Sequence, residues 1–276
     1  MNEYYVNLLR ILRGYGSVAV AFSGGVDSTL LIRAAHEALG DRAVAVTAVI
    51  DAVPERELQE AKALCEELGV RHILVHPDVM ALPGFYENPP DRCYHCKKHI
   101  FSALQQAALE AGAAVLCEGS NLDDVSDYRP GLRAIAELQV KSPLREAGMD
   151  KAAIRACSRA LGLPTWDKPS YACLASRFAY GERISAEGLR RVDAAEAFLH
   201  DLGFRQVRVR VHGGLARIEA EPEDIPRLAA PELRGQVSDA LRALGYAYTA
   251  LDLQGYRTGS MNEVLIKENT QCNQTI

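Results

Sequence analysis

The stretch from Ala43 to Ile50 is a short apolar run, and a strand made of it has to be covered on both faces. Such a strand belongs inside a parallel sheet with helices on either side. The neighbouring sequence agrees. Ser17 to Phe22 alternates small and β-branched or aromatic residues, runs into Gly24-Gly25 and leads to an apolar-periodic stretch from Asp27 to Leu39, which reads as strand, tight loop and helix. Pro54 to Leu68 has a helical pattern that stops at Gly69, His72 to His76 is a third strand, Cys93 to Ala111 has helical composition, and Ala114 to Glu118 is the next strand. The alternation predicts an α/β fold, a doubly wound parallel sheet whose ligand site lies at the carboxyl ends of its strands.

Asp150 to Leu161 is a last helix of this half, and Pro164 to Tyr180, with little periodicity, reads as a connection. We place the boundary near Arg177, giving domains of residues 1–176 and 177–276. Beyond it a helix at Ala186 to Leu202, strands at Gln206 to Val211 and Leu215 to Ala220, a helical region from Pro222 to Leu244 and a strand at Ala247 to Leu253 form a smaller α+β domain. The polar end from Glu268 to Ile276 is expected to be loosely ordered.

With 276 residues, 48% hydrophobic and 24% charged, the chain has the balance of a folded globular protein and not that of a disordered or collagen-like one. The net charge of -5 gives no global footprint for nucleic acid or an anionic membrane, although it leaves room for a local basic patch. No apolar run approaches the roughly 20 residues that span a bilayer, and Met1 to Arg10 is too polar for a signal peptide, so a cytoplasmic location is expected. Seven cysteines, an odd number, favour thiol, metal or cluster chemistry over a disulfide framework.

The first chemical signal is Ala21-Phe22-Ser23-Gly24-Gly25-Val26-Asp27-Ser28-Thr29. Its glycines let the backbone turn sharply and bring N–H groups against an anion, and the positive end of the next helix adds to the attraction. A Walker A loop would carry a Lys before its Ser or Thr; none stands here, so the loop suits pyrophosphate rather than γ-phosphoryl transfer, with Asp27 holding Mg2+ near the departing group. The plain alternative is a glycine turn in which Asp27 and Ser28 serve only the helix start. The full string resembles the PP-loop of the ATP pyrophosphatase superfamily, of the adenine nucleotide alpha hydrolase-like type. That resemblance implies cleavage of ATP between its α and β phosphates, binding of the nucleotide by Ser23, Gly24, Gly25, Asp27 and Ser28, and an adenosine contact at Thr47 to Val49. It also matches Glu118-Gly119-Ser120-Asn121-Leu122-Asp123-Asp124 to a later strand-end loop, where Gly119 allows close approach to the nucleotide.

Cys93 and Cys96 stand at a predicted helix start, where a spacing of three puts both sulfurs on one face and the helix N-terminus favours thiolate. Cys173 lies far downstream, so these thiols can meet only through folding. Together they suit a 4Fe-4S cluster with one iron left open. A closed zinc site that adds His95 or His99, a dithiol redox pair and simple packing are the competing readings. Cys65, Cys117 and Cys157 fall in predicted regular elements and are expected to be buried, and Cys272 falls in the tail.

Beyond the PP-loop, the chain carries Tyr128-Arg129-Pro130-Gly131-Leu132, Cys173 followed by Ser176-Arg177-Phe178 and Tyr180-Gly181, Val207-Arg208-Val209-Arg210, and Leu251-Asp252-Leu253 with Gly255-Tyr256-Arg257. In these it resembles the LarE family over nearly its whole length. The resemblance implies an ATP-dependent sulfur insertase that adenylates the carboxylates of pyridinium-3,5-biscarboxylic acid mononucleotide and converts them to thiocarboxylates for the nickel-pincer nucleotide cofactor. Some members sacrifice the sulfur of the cysteine matching Cys173 and lack the C-x-x-C pair. This chain has the pair, which implies the branch in which Cys93, Cys96 and Cys173 hold a 4Fe-4S cluster carrying an added sulfide.

Arg208 and Arg210 share one face of a predicted strand and could clamp a phosphate. Ser176 and Arg177 could add donors beside Cys173; Lys97 and Asp127 match polar positions near the sulfur-transfer site, Glu219 and Asp252 match acidic positions of the second domain, and Arg129 joins Asp127, Arg208, Arg210, Glu219 and Asp252 as the substrate-binding residues that the resemblance implies. Relatives imply a trimer-based homo-oligomer. A PP-loop tRNA thiolase, an amidating synthetase and an ATP-responsive binding protein without turnover are the alternatives, of which the amidating synthetase leaves the three cysteines unexplained.

Overall fold

The computed structural model describes residues 3–126, 130–169 and 172–257. Asp127, Tyr128, Arg129 and Cys272, all singled out in the sequence, lie outside the described residues. The chain forms two compact units: Met1–Phe85 with Asp91–Tyr171, and Tyr86–Pro90 with Ala172–Ile276.

The first unit contains α1 (Glu3–Tyr15), β1 (Val18–Ala21), α2 (Val26–Leu39), β2 (Ala43–Ala48), α3 (Glu55–Glu67), β3 (His72–Val75), α4 (Arg92–Glu110), β4 (Val115–Cys117), α5 (Pro130–Glu137), α6 (Pro143–Glu146) and α7 (Lys151–Ala160). Its strands form a wholly parallel four-stranded sheet in the order β3-β2-β1-β4. Alternation along the strands divides the core into two layers. Val18, Val20, Ala43 and Ala45 join Leu8, Leu12, Leu30, Leu31 and Ile154 on one face; Ala19, Val44, Val46 and Leu116 join Phe101, Leu104 and Ala108 on the other. Burial on both faces is what the apolar run of β2 required.

Helix α1 is an element the sequence reading did not contain. Tyr5, Leu8, Leu9 and Leu12 form its buried stripe at helical spacing, and each leucine contributes on the order of 1.5–3 kcal/mol by leaving water. Cys65, Cys117 and Cys157 are buried as expected, and burial pushes the Cys65 thiol up to about 12.

The chain reaches β3 on one side of β1 and then crosses to β4 on the other side, so the β1/β4 pair is the topological switch point. The loops that follow β1 and β4 open there. Outside β4, Lys141 pairs in parallel with Cys117: its N–H donates to Leu116 O at 3.0 Å, and its carbonyl accepts from Glu118 N at 2.9 Å. This extra pairing brings Ser142 beside the loop that leaves β4.

The second unit contains α8 (Ala186–Asp201), β5 (Val207–His212), β6 (Leu215–Ala220), α9 (Ile225–Ala229), α10 (Pro231–Ala243) and β7 (Tyr248–Leu251). β5 and β6 form an antiparallel hairpin, and β7 adds in parallel to β6. Ser185 caps α8 by accepting from Gly188 N at 3.0 Å. The single helical region expected from Pro222 to Leu244 is interrupted instead. Ala230 adopts φ -61 and ψ 143 because Pro231 disfavours a helical residue before it, which ends α9 and starts α10. The short segment Tyr86–Pro90 is held in this unit by Asn88, whose side chain donates to Phe178 O at 3.3 Å and Ala179 O at 2.6 Å, while Ile184 N donates to Tyr86 O at 2.8 Å. Among the described residues, no helix is long and apolar enough to cross a membrane.

Candidate active site

In the first unit, the loop after β1 folds on its own serines. Ser23 N lies 3.3 Å from Ser28 Oγ, the two hydroxyl oxygens are 3.1 Å apart, and Ser28 Oγ donates to Gly25 O at 3.2 Å. Gly24 sits at φ +67, in the left-handed region, and a β-carbon there would come within 3.2 Å of Ala61 Cβ. Gly25 is the N-cap of α2 without a side-chain cap, so the N-terminus of a 14-residue helix opens onto this loop.

The loop after β4 forms the facing wall. Glu118 is buried and accepts from Ser120 N at 2.9 Å, Ser120 Oγ at 2.7 Å and Ser142 Oγ at 2.5 Å, which fixes the turn that follows it. Gly119 then passes so close to the start of α2 that a β-carbon would stand 3.2 Å from both Asp27 Cβ and Ser28 N. Two glycines thus keep the cradle open, as the close approach of a phosphate chain demands.

Asp27 belongs to a closed ring of contacts. Its Oδ1 accepts from Asn121 Nδ2 at 3.3 Å and its Oδ2 from Lys151 Nζ at 2.5 Å. Asn121 Oδ1 accepts from Asp123 N, and Asp123 Oδ2 accepts from Lys151 N, both at 2.9 Å. The start of α2, the loop after β4 and the first residue of α7 are thereby tied together. A second lysine, Lys168, donates to the Gly24 carbonyl at 3.1 Å and pairs with Glu60 at 2.7 Å. Burial works against the charge of Glu60, yet Lys168 and Arg56 outweigh it and hold the carboxyl below its ordinary range. The sequence reading missed both lysines. Both bring an ammonium group to a loop that carries no Walker lysine of its own.

Thr47, expected at the adenosine, turns its hydroxyl inward: Oγ1 donates to Phe22 O at 2.7 Å and lies 2.7 Å from His72 Nε2. Its proton goes to the carbonyl, so His72 must carry hydrogen on Nε2. Burial, aided by the charge of Lys62, lowers the pKa of His72.

On α4, Cys93 is exposed and Cys96 buried, and Arg92 Nη2 lies 3.6 Å from Cys93 Sγ. Lys97 follows, half-buried, with its stem over Gly131. Within neither unit do the described residues gather three or more His, Cys, Asp or Glu side chains close enough to hold a metal ion.

The second unit carries its own cluster. Cys173 is exposed at the start of a short 3-10 turn, Leu174–Arg177. Arg177 is fully buried: Nε and Nη2 form a bidentate pair with Glu196 at 2.8 and 2.7 Å, and Nη1 donates to Ala172 O at 2.7 Å, Cys173 O at 3.3 Å and Ser176 Oγ at 3.0 Å. Its donors are turned into the protein, and they shape the backbone around Cys173. Arg208 and Arg210 do share one face of β5. Arg210 pairs with Glu219 at 2.8 Å and donates to Ser176 O at 3.0 Å, while Arg208 donates to Val207 O at 2.8 Å and lies over the Tyr256 ring at 5.2 Å. Arg217 bridges Glu219 and Asp252, and Arg257 reaches Asp252 at 3.9 Å. Burial tends to raise the pKa of Asp252, but the backbone N–H of Gln254, Arg217 and Arg257 lower it overall. Burial lowers the pKa of Arg208, and the charge of Arg177 adds to this. Arg177 thus pairs with Glu196, Arg210 and Arg217 with Glu219, and Arg217 and Arg257 with Asp252.

A parallel sheet with a Ser-Gly-Gly-Val-Asp-Ser loop at its switch point defines a PP-loop domain of the ATP pyrophosphatase class. The NAD synthase family matches residues 9–87. The chain is 38% identical over 261 residues to the pyridinium-3,5-bisthiocarboxylic acid mononucleotide synthase of Lactiplantibacillus plantarum, with 94% of each chain covered. It therefore belongs to the LarE family of pyridinium-3,5-bisthiocarboxylic acid mononucleotide synthases. It is also 43% identical over 261 residues to an uncharacterized protein of Synechocystis sp., covering 95% of this chain and 97% of the relative. A protein of Methanocaldococcus jannaschii is 27% identical over 241 residues, covering 87% of this chain and 91% of its own.

Proposed function

We propose that this chain is an ATP-dependent sulfur insertase that adenylates the carboxylates of pyridinium-3,5-biscarboxylic acid mononucleotide and converts them to thiocarboxylates. The observation that carries this reading is the match along nearly the whole chain to a synthase of that product, joined to an intact PP-loop cradle. A carboxylate oxygen is a very poor leaving group and AMP a far better one, so activation has to precede sulfur entry. Ser23, Gly24, Gly25 and Ser28 receive the phosphates at the start of α2, and Gly119 leaves room on the facing wall. Asp27 offers the carboxylate for Mg2+, which supplies neutralising charge at the phosphates.

Arg208 and Arg210, side by side on β5, receive the phosphate of the mononucleotide, with Glu219 holding Arg210 and Asp252 holding the neighbouring Arg217. Arg177 positions the Ala172–Ser176 backbone, and Lys97 with Ser176 supplies polar contacts for sulfur transfer. Asp127 and Arg129 keep the substrate role that the resemblance implies.

Cys93, Cys96 and Cys173 are the ligands of a 4Fe-4S cluster in this reading, and sulfide is the donor it would carry. The donor set fits: none of the three is in a disulfide, Cys93 and Cys96 stand in the first two turns of α4, and Arg92 reaches the sulfur of Cys93. Free cysteines suit a reducing, cytoplasmic setting, and a trimer-based homo-oligomer is part of the proposal.

The test is pyrophosphate release from ATP and Mg2+ on addition of the pyridinium dicarboxylate mononucleotide to anaerobically purified protein, with iron and sulfide analysis of the same sample. Release together with about four irons per chain is the expected result. Release triggered by tRNA and not by the pyridinium compound overturns the substrate reading. Colourless protein with one zinc overturns the cluster.

A further inference from the structure

The ion pair between Lys151 and Asp27 brings a cation to the carboxylate that the loop reserves for Mg2+. One oxygen cannot serve both closely: Oδ2 already takes the ammonium at 2.5 Å, and a divalent ion on that oxygen displaces it. The displaced group would remain at the site. The α-carbon of Lys151 is fixed as the first residue of α7, and its N–H is tied to Asp123, so only the flexible side chain is released. That side chain is 35% exposed, against 12% for Lys168, which Glu60 and the Gly24 carbonyl hold in place. Of these two lysines at the cradle, Lys168 is therefore the fixed clamp and Lys151 the one able to swing.

Adenylation gives the released ammonium a destination. A carboxylate oxygen of the substrate bonds to the α-phosphorus, the bond from that phosphorus to the oxygen bridging to the β-phosphate breaks, and its electron pair leaves with pyrophosphate. No proton moves, and the leaving group gains negative charge that a cation can stabilise. We propose that Lys151 is a catalytic residue that alternates between two anions, holding Asp27 before the metal nucleotide arrives and neutralising pyrophosphate as it departs. The loop thus obtains from α7 what a Walker lysine provides from within its own sequence. The inference rests on the adenylation reading above for the identity of the leaving group.

Two binding measurements on the full-length protein test it without substrate turnover. The first is the Mg2+ concentration that half-saturates ATP binding by equilibrium dialysis; the second is the affinity for inorganic pyrophosphate without metal. In Lys151→Met the Mg2+ midpoint should fall several-fold, because Asp27 no longer has a competing cation. Pyrophosphate affinity should fall roughly ten- to a hundredfold, the size of one lost charged hydrogen bond. Lys151→Arg should restore most of the pyrophosphate affinity. Lys151→Gln can still hydrogen bond to Asp27 but carries no charge; it serves if the methionine variant does not fold, and should shift both values the same way. An unchanged Mg2+ midpoint with unchanged pyrophosphate affinity in a folded uncharged variant overturns the proposal. Failure of the pyridinium compound to trigger release overturns the substrate reading instead, and leaves both binding measurements standing.

Discussion

The aliphatic stem of Lys97 crosses Gly131 so closely that a β-carbon at position 131 would stand 2.5 Å from Lys97 Cδ. Gly131 lies in α5 and Lys97 in α4, so the glycine acts as a seat for a side chain on the neighbouring helix. A stem seated in this way has few rotamers left, which aims its ammonium.

Gly131→Ala should therefore separate stability from activity. Alanine favours the helix by up to about 1 kcal/mol, which offsets much of the cost of moving the lysine stem. The expected outcome is a melting temperature within a few degrees of wild type and sulfur transfer lower by about tenfold, since misplacing a reacting group costs rate steeply. Thermal denaturation and single-turnover sulfur transfer measure the two. Full activity would show that Lys97 has no part in the transfer.

Glu196→Gln should destabilise the second unit strongly. The carboxylate is the bidentate partner of Arg177 and also accepts from Val209 N at 2.8 Å, with side-chain exposures of 0% for Arg177 and 5% for Glu196. Removing one charge of a buried pair leaves the other uncompensated, which costs about 3–5 kcal/mol. Urea denaturation followed by circular dichroism reads the loss. A cost below about 1 kcal/mol would mean that water reaches the guanidinium.

His72 should make stability depend on pH in one direction. Its folded pKa lies below the ordinary 6.5, so the unfolded chain takes up the proton first as the solution is acidified. The contribution is complete above about pH 6.5 and shrinks as pH falls from there towards the folded pKa. His72→Gln removes this titration and should flatten the fall. Urea midpoints at a series of pH values give the comparison, and identical pH profiles for the two proteins would count against the neutral, Nε2-protonated His72 inferred from Thr47.

Local pattern makes much of the fold legible in the sequence. The covered strand β2 and the glycine turn before α2 each reflect the chemistry of a few adjacent residues, and the order of strands and helices up to β4 follows from them. The signal for α1 was also present, as the spacing of Tyr5, Leu8, Leu9 and Leu12, but reading Met1 to Arg10 only for polarity passed over it. Pro231 likewise announced the break between α9 and α10.

The candidate site was legible only in part. The PP-loop declares itself because a short string both builds the turn and carries the ligand groups. Lys151 and Lys168 do not, because their partners Asp27 and Gly24 lie 124 and 144 positions away, and no periodicity predicts a lysine meeting a carboxylate or carbonyl at that distance. Arg177 shows the converse. Its neighbours in sequence suggested a donor beside Cys173, whereas full burial against Glu196 directs its guanidinium to the backbone.

Two bonds of Asn88 can close only late in synthesis. Its carbonyl partners, Phe178 and Ala179, are translated some ninety residues after it, so the connection between β3 and α4 has left the ribosome before those acceptors exist. A shortened gene ending at residue 171 would remove both acceptors while keeping the helix that bears Cys93 and Cys96.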